Sequence, residues 1–344
     1  MARKAKKAVT KKPGSRVRVH IENISTYHKH VQISEADFDH AAKRHRDVAR
    51  RVDVSIGWDF ADFDKNMQDA DVLVFMGLDF KPEGFARRAP KLRWIQLTSA
   101  GVEHIMPFDW LPPQVALTNN SGVHAEKHGE FGITSVLMLN NNVPVMTTNQ
   151  RQSRWHTVFG TGIRGKTLAI VGVGNIGGEV ARHAKRLGMR VIGVRRGAGK
   201  HPHVDKMYGP EQLAKVMPQG DFLLAALPGT RETKNLVSAK MLDLLKPGAG
   251  VVNLGRAATM DYEALAAKLE SGALAGAVLD AHDPEPLPPS SPLWGTRNLI
   301  LSPHCTSSDA ATYVPLSLEQ TFENLARFMD GKPLLRRVDL DLGY

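Results

Sequence analysis

The chain has 344 residues, of which 42% are hydrophobic and 23% charged, an ordinary balance for a soluble globular protein with room for two domains of ~150 residues. No stretch approaches the ~18 uninterrupted apolar residues of a membrane span, and no apolar run with a cleavage site follows the N-terminus. A single cysteine, Cys305, excludes an internal disulfide and fits a cytoplasmic, reducing compartment.

The formal charge of +10 is concentrated at one end. Arg3, Lys4, Lys6, Lys7, Lys11, Lys12, Arg16 and Arg18 supply eight positive charges with no acid among residues 1–18, which leaves +2 for everything else. Residues 1–15 therefore read as a disordered, solvated basic tail. The body carries no basic face, so nucleic acid is not the expected partner.

Beyond the tail, apolar strand candidates at Val17–Ile21, Val52–Ile56, Val72–Phe75, Trp94–Leu97 and Val115–Thr118 alternate with helical stretches at Ala36–Val48 and Phe60–Met67. That alternation predicts a parallel sheet with helices on its faces. A long helix is expected over His124–Asn141, crossing to a second domain, and the pattern then lapses over Gln150–Gly165. A second alternating series follows: Leu168–Val171, Val191–Val194, Phe222–Leu227, Val251–Leu254, Ala277–Leu279 and Leu299–Leu301. Ile176, Val180, Ala184 and Leu187 form a helical stripe that Gly188 ends; Ser238 and Asp261 read as helix caps, and Gly272 as a stop. A last helix over Ala311–Met329 returns to the first domain.

Between the strand ending at Val171 and that striped helix lies Gly172-Val173-Gly174-Asn175-Ile176-Gly177. In a G-x-G-x-x-G turn the first glycine allows the tight bend. The second lets a pyrophosphate approach the backbone, the third permits close helix–strand packing, and the helix N-terminus faces the phosphates. About 170 residues precede the turn, too many for a simple N-terminal cofactor domain. The predicted fold is α/β, with two doubly wound parallel-sheet domains, a Rossmann dinucleotide-binding domain (120–304) being inserted into a smaller, flavodoxin-like substrate domain (16–119 and 305–344). The second Rossmann strand commonly ends in an acid that binds the ribose 2′-hydroxyl. Here Val194 is followed by Arg195 and Arg196, and no Asp or Glu occurs from Val180 through Val204. Two guanidiniums suit a 2′-phosphate, which favours NADP over NAD; the alternative is that both arginines are solvated and NAD is held by backbone groups. His201 and His203 follow without a further ligand cluster, so no metal site is expected.

Three polar residues stand just past the last predicted strands, where ligands gather in open α/β sheets: Arg256, Glu285 and His304. Cys305 beside His304 admits a Cys–His nucleophile, but adjacent side chains diverge. Together with Trp94–Val102, Thr118–His124, the glycine turn, Asn253–Arg256, Asp283–Pro286 and Ser302–His304, the pattern resembles the D-isomer-specific 2-hydroxyacid dehydrogenases over most of the chain beyond the tail.

The resemblance implies an NAD(P)-dependent oxidoreductase of glyoxylate- or hydroxypyruvate-like 2-oxo acids and their 2-hydroxy acids. His304 is the implied general acid and Glu285 its partner, favouring the charged imidazole. Arg256 is the implied holder of the substrate's carbonyl and carboxylate. Backbone N–H groups of Ala100, Gly101 and Val102 are implied to meet the carboxylate, and Asp280 the nicotinamide carboxamide. Gly172, Gly174, Asn175, Ile176, Gly177, Leu227, Pro228, Thr233 and Leu254 are implied to line the cofactor site. A homodimer is implied, with Ala125–Asn141 as a candidate interface, as is hinged closure about segments near Asn119 and Ser302. Glutamate at 285 weakens a formate dehydrogenase-like reading, and the 40 residues after His304 leave no room for a regulatory domain. The alternative function is a dinucleotide-sensing, corepressor-like binding protein with little turnover.

Overall fold

The computed structural model describes residues 16–197 and 199–344, so the basic tail read at 1–15 lies outside the described residues. The chain divides into two compact units, Met1–Val123 with Asp309–Tyr344, and His124–Ser308. The divisions fall after Val123 and Ser308, somewhat past the expected borders, because the flanking residues are hydrogen-bonded back. The Asn120 amide donates to Thr98 O (3.0 Å) and Ser317 Oγ (2.7 Å), and Thr306 Oγ1 donates to Asp280 (2.6 Å). The helices of nine or more residues among those described are α1 (Glu35–Arg44), α2 (Ala125–Asn140), α3 (Val143–Arg151), α4 (Asn175–Arg186), α5 (Tyr262–Glu270) and α6 (Tyr313–Met329). None of the described helices is long and apolar enough to cross a membrane.

The first unit holds β1 (Val17–Asn23), β2 (Val52–Trp58), β3 (Val72–Phe75), β4 (Trp94–Leu97) and β5 (Ala116–Thr118), all parallel, in the order β2-β1-β3-β4-β5. This is the flavodoxin-like order. Alternation sorts the side chains: Val72 and Val74 join a core with Val314, Leu318, Phe322 and Leu325 of α6, while Leu73 and Phe75 face Phe63, Met67 and Phe85. Ser34 caps α1 through a capping box with Asp37. The helix expected over Ala36–Val48 breaks at His45, whose ring stacks on Phe322 (4.9 Å) and bonds Glu319 Oε2 (2.6 Å), leaving Arg46–Ala49 as a separate turn.

The second unit holds β6 (Thr167–Val171), β7 (Arg190–Val194), β8 (Lys206–Tyr208), β9 (Phe222–Ala225), β10 (Gly250–Asn253), β11 (Gly276–Leu279) and β12 (Leu299–Leu301). All are parallel, in the order β12-β11-β10-β9-β6-β7-β8. This is the Rossmann order with one strand added. Helices cover both faces, so the strands read as near-continuous apolar runs. Val180 and Ala184 of α4 are fully buried, and burying one such valine contributes about 1.5–3 kcal/mol. The start of α2 approaches α4 closely through its glycines. A Cβ at Gly132 would lie 2.5 Å from Val180 Cγ2, and one at Gly129 2.5 Å from Glu179 Cβ, so small residues let α2 and α4 touch.

Among the described strands and the helices of nine or more residues, two escaped the sequence reading. Strand β8 is a sheet edge that buries only Tyr208, and α3 buries only Pro144 and Asn149.

Candidate active site

The strand order of the second unit reverses between β6 and β9, and the glycine turn sits at that switch point. Gly172 has φ +100°, and a Cβ there would stand 2.5 Å from Ala226 O, at the end of β9. A Cβ at Gly177 would stand 2.3 Å from Gly172 O and 3.0 Å from Ile170 Cγ2, so that position enforces the contact between α4 and β6. Gly174 differs: a Cβ there would meet nothing within 4 Å. It precedes α4 as its N-cap, with Asn175 and Ile176 in the first turn. The chain thus leaves open space in front of a twelve-residue helix whose first N–H groups point outward, a cradle that fits a pyrophosphate. Beside it, Gly255 packs so closely on Leu227 that an added Cβ would lie 2.5 Å from the Leu227 carbonyl oxygen. The Leu227–Pro228 loop closes on itself through Thr233 Oγ1, which donates to Pro228 O. Leu254 is buried behind it.

At the end of β7 the two arginines are not equivalent. Arg195 donates to Gly199 O (3.1 Å), and its Nε is buried without a hydrogen bond among the described residues. Arg196 is ion-paired with Glu232, which lies 36 residues further on. The reading of two arginines with no acid nearby holds along the chain and fails in space. His201 Nε2 lies 3.0 Å from a Cβ built at Gly178 in α4; burial, then the charges of His203 and Arg195, push its ring below the ordinary range. No cluster of three metal-ligating side chains occurs among the described residues.

Arg256, Glu285 and His304 follow β10, β11 and β12, which are neighbours in one parallel sheet, so all three emerge at the same edge. His304 Nδ1 donates to Glu285 Oε2 (2.8 Å) and approaches Oε1 (3.1 Å), and the two side chains are 33% and 37% exposed. With Nδ1 on the carboxylate, Nε2 is the atom left for a reacting group. His304 has φ +48°, in the left-handed region that disfavours a residue with a Cβ, so its neighbours must hold it there.

The loop carrying Arg256 is organised by Asn253, which is fully buried. The Asn253 amide oxygen accepts from Gly255 N (2.9 Å), and its nitrogen donates to Arg256 O (3.2 Å) and Tyr262 Oη (3.0 Å). Tyr262 in turn donates to Ala281 O (2.8 Å), and burial pushes its hydroxyl well up from its ordinary value.

Asp280, read as a nicotinamide contact, is 1% exposed, and both its oxygens are turned onto the chain's own donors. Ser302 Oγ donates to Oδ1 (2.8 Å) and Thr306 Oγ1 to Oδ2 (2.6 Å). His128 Nε2 of α2 lies 3.3 Å from Oδ2, within ion-pair range but outside hydrogen-bond geometry. Burial pushes this carboxyl up, yet His128, Thr306 and Ser302 outweigh it and hold it below the ordinary carboxylate range. What the structure gives Asp280 is therefore a grip on both sides of His304. Asn253, Tyr262, Ser302, Thr306, His128 and Glu232 had no assigned role in the sequence reading; Asn253 acts through a local loop, and the others through partners far along the chain.

In the first unit, the loop after β4 carries Ala100, Gly101 and Val102. It is pinned through its oxygens: Ala100 O accepts from the Asn119 amide (2.8 Å) and Gly101 O from Ser99 Oγ (3.0 Å), while Val102 is buried.

Comparison with known proteins follows the same lines. The family model described as D-isomer specific 2-hydroxyacid dehydrogenase, NAD binding domain, matches residues 133–306. A glyoxylate reductase of Korarchaeum cryptofilum is 31% identical over 279 residues, covering 78% of this chain and 82% of that protein. One of Aeropyrum pernix is 32% identical over 276 residues, covering 77% and 82%. A D-isomer specific 2-hydroxyacid dehydrogenase of Xanthobacter autotrophicus, solved in complex with NADPH and MES, superposes with a TM-score of 0.80 at 28% identity, covering 96% of this chain and all of that one.

Proposed function

The chain belongs to the D-isomer-specific 2-hydroxyacid dehydrogenase family of oxidoreductases, and from that premise we propose that it reduces small 2-oxo acids of the glyoxylate and hydroxypyruvate kind, with NADP preferred over NAD. The observation that carries the reading is the Glu285–His304 pair, held at the same sheet edge as Arg256 and the glycine turn. The glycine cradle at Gly172, Gly174 and Gly177, with Asn175 and Ile176 behind it, fits a dinucleotide's pyrophosphate, while Leu227, Pro228, Thr233 and Leu254 border it. A bound NAD(P)H supplies the hydride.

The chain's own residues do the rest. Arg256 holds the 2-oxo acid by a charge-assisted hydrogen-bonded fork and polarises its carbonyl. His304 gives the proton on Nε2 to the carbonyl oxygen as the carbon becomes tetrahedral, and solvent restores it. Glu285, bonded to Nδ1, fixes the ring's orientation and balances the positive imidazolium before transfer. The Ala100–Val102 loop is assigned the substrate carboxylate, its backbone being pinned through carbonyls rather than through its N–H groups. Arg195, which bonds a carbonyl at Gly199, is assigned the 2′-phosphate ahead of Arg196, which is paired with the Glu232 carboxylate. The names of the glyoxylate reductase relatives support the substrate class.

Steady-state oxidation of NADPH and NADH against a panel of 2-oxo acids tests the reading. Turnover of a small 2-oxo acid, faster with NADPH at equal concentration, is expected. A panel that gives no turnover with either dinucleotide overturns it.

A further inference from the structure

We propose that His282 is a positioning residue for the Glu285–His304 pair, an inference that rests on the reading of that pair as the proton-transfer apparatus. His282 lies in the segment between β11 and β12, and it makes two bonds with different targets. Its backbone N–H donates to Glu285 Oε1 (2.7 Å). Its ring Nε2 bonds to Ser302 O (2.8 Å), the same carbonyl that accepts from His304 N (3.0 Å). One residue therefore touches the carboxylate that orients the acid and the peptide that carries it.

The chemistry of the ring bond is unambiguous. A carbonyl only accepts, so Nε2 carries the proton. Nδ1 is then left buried with no hydrogen-bond partner among the described residues. An apolar ring of similar size would fill the space without an orphaned nitrogen, so packing alone does not account for a histidine here.

The bond also supplies what the neighbouring contacts lack. Asp280 grips the hydroxyls of Ser302 and Thr306, two residues before and two after His304. Those bonds fix side chains and not the 302 carbonyl, whose other bond is the local one from His304 N. His304 occupies the left-handed region at φ +48°, a conformation that persists only when its surroundings over-determine it. The His282 ring adds a second bond to the 302 carbonyl, from a different segment of the chain, and its backbone N–H holds Glu285 Oε1.

Two substitutions and one spectrum test this. His282→Phe keeps the ring volume and removes the bond. It is expected to lower kcat for 2-oxo acid reduction by about 10- to 100-fold while the dinucleotide KM changes by less than about twofold. His282→Gln, whose amide can still donate to the carbonyl, regains part of that loss. In the wild-type protein the long-range proton–nitrogen NMR spectrum should show His282 as the Nε2–H tautomer, and His282→Phe should displace the ring signals of His304. A His282→Phe enzyme with wild-type kcat and unmoved His304 signals overturns the proposal, as does an Nδ1–H tautomer in the wild type. If the wild type turns over no 2-oxo acid, the proposed function fails, and the tautomer and the His304 displacement decide this inference alone.

Discussion

The C-terminal edge of the larger sheet is built in two styles. Past β10, β11 and β12 it is cross-braced from within: Asn253 is fully buried, Asp280 is 1% exposed, and Ser302 and Thr306 are bonded to one carboxylate. Past β7 it is held at the surface, where Arg196 and Glu232 pair with side chains 47% and 63% exposed. An exposed ion pair contributes only about 0–1 kcal/mol, whereas stripping one partner from a buried charged hydrogen bond costs several-fold more. The contrast matches the tasks proposed for the two regions. Proton transfer demands heavy atoms within hydrogen-bond reach, so its scaffold is rigid; a phosphate is recognised by charge, which tolerates movement.

Breaking the braced region at its centre should have the largest effect. His304→Asn leaves the fold intact and is expected to lower kcat by about 10²–10⁴-fold, measured in single-turnover reduction with dinucleotide binding unchanged. Loss of dinucleotide binding instead would show that the ring is structural.

Asp280→Asn tests the brace itself. The native carboxyl lies below its ordinary range, so its contribution to stability is present above the unfolded value and is lost as pH falls through the native one. The variant should be less stable by about 1–3 kcal/mol at neutral pH in urea titrations. The gap to wild type should close as pH falls below about 4. A gap that is constant with pH would remove the carboxylate's charge from the argument.

The surface-held region should answer weakly. Glu232→Gln releases Arg196 towards a 2′-phosphate and is expected to raise the NADPH-over-NADH ratio of kcat/KM by about two- to fivefold, with melting temperature unchanged. A fall in the ratio would mean that Arg196 needs Glu232 to hold it in place.

The two regions also differ in how far the chain could be read without coordinates. Both parallel sheets, the glycine turn, and the positions of Arg256, Glu285 and His304 just past strand ends were legible, because apolar period and turn chemistry act over a few neighbouring residues. Helix α3 and strand β8 were not, because neither buries enough apolar side chains to show a period. The split at His45 was hidden because its cause, stacking on Phe322, lies in another helix. The close approach of α2 to α4 was hidden as well, because Gly129 and Gly132 meet Glu179 and Val180 of another helix.

By itself, then, the sequence determined the local grammar: strands, helices, the dinucleotide turn, and which polar side chains stand at strand ends. Only the tertiary structure decided the pairings: Glu232 beside Arg196, Asp280 turned inward onto Ser302 and Thr306, and His282 bridging Glu285 to the peptide behind His304. Propensity and periodicity are properties of adjacent residues, whereas a hydrogen bond between residues 20 or 36 positions apart exists only once the sheet has set their strands side by side.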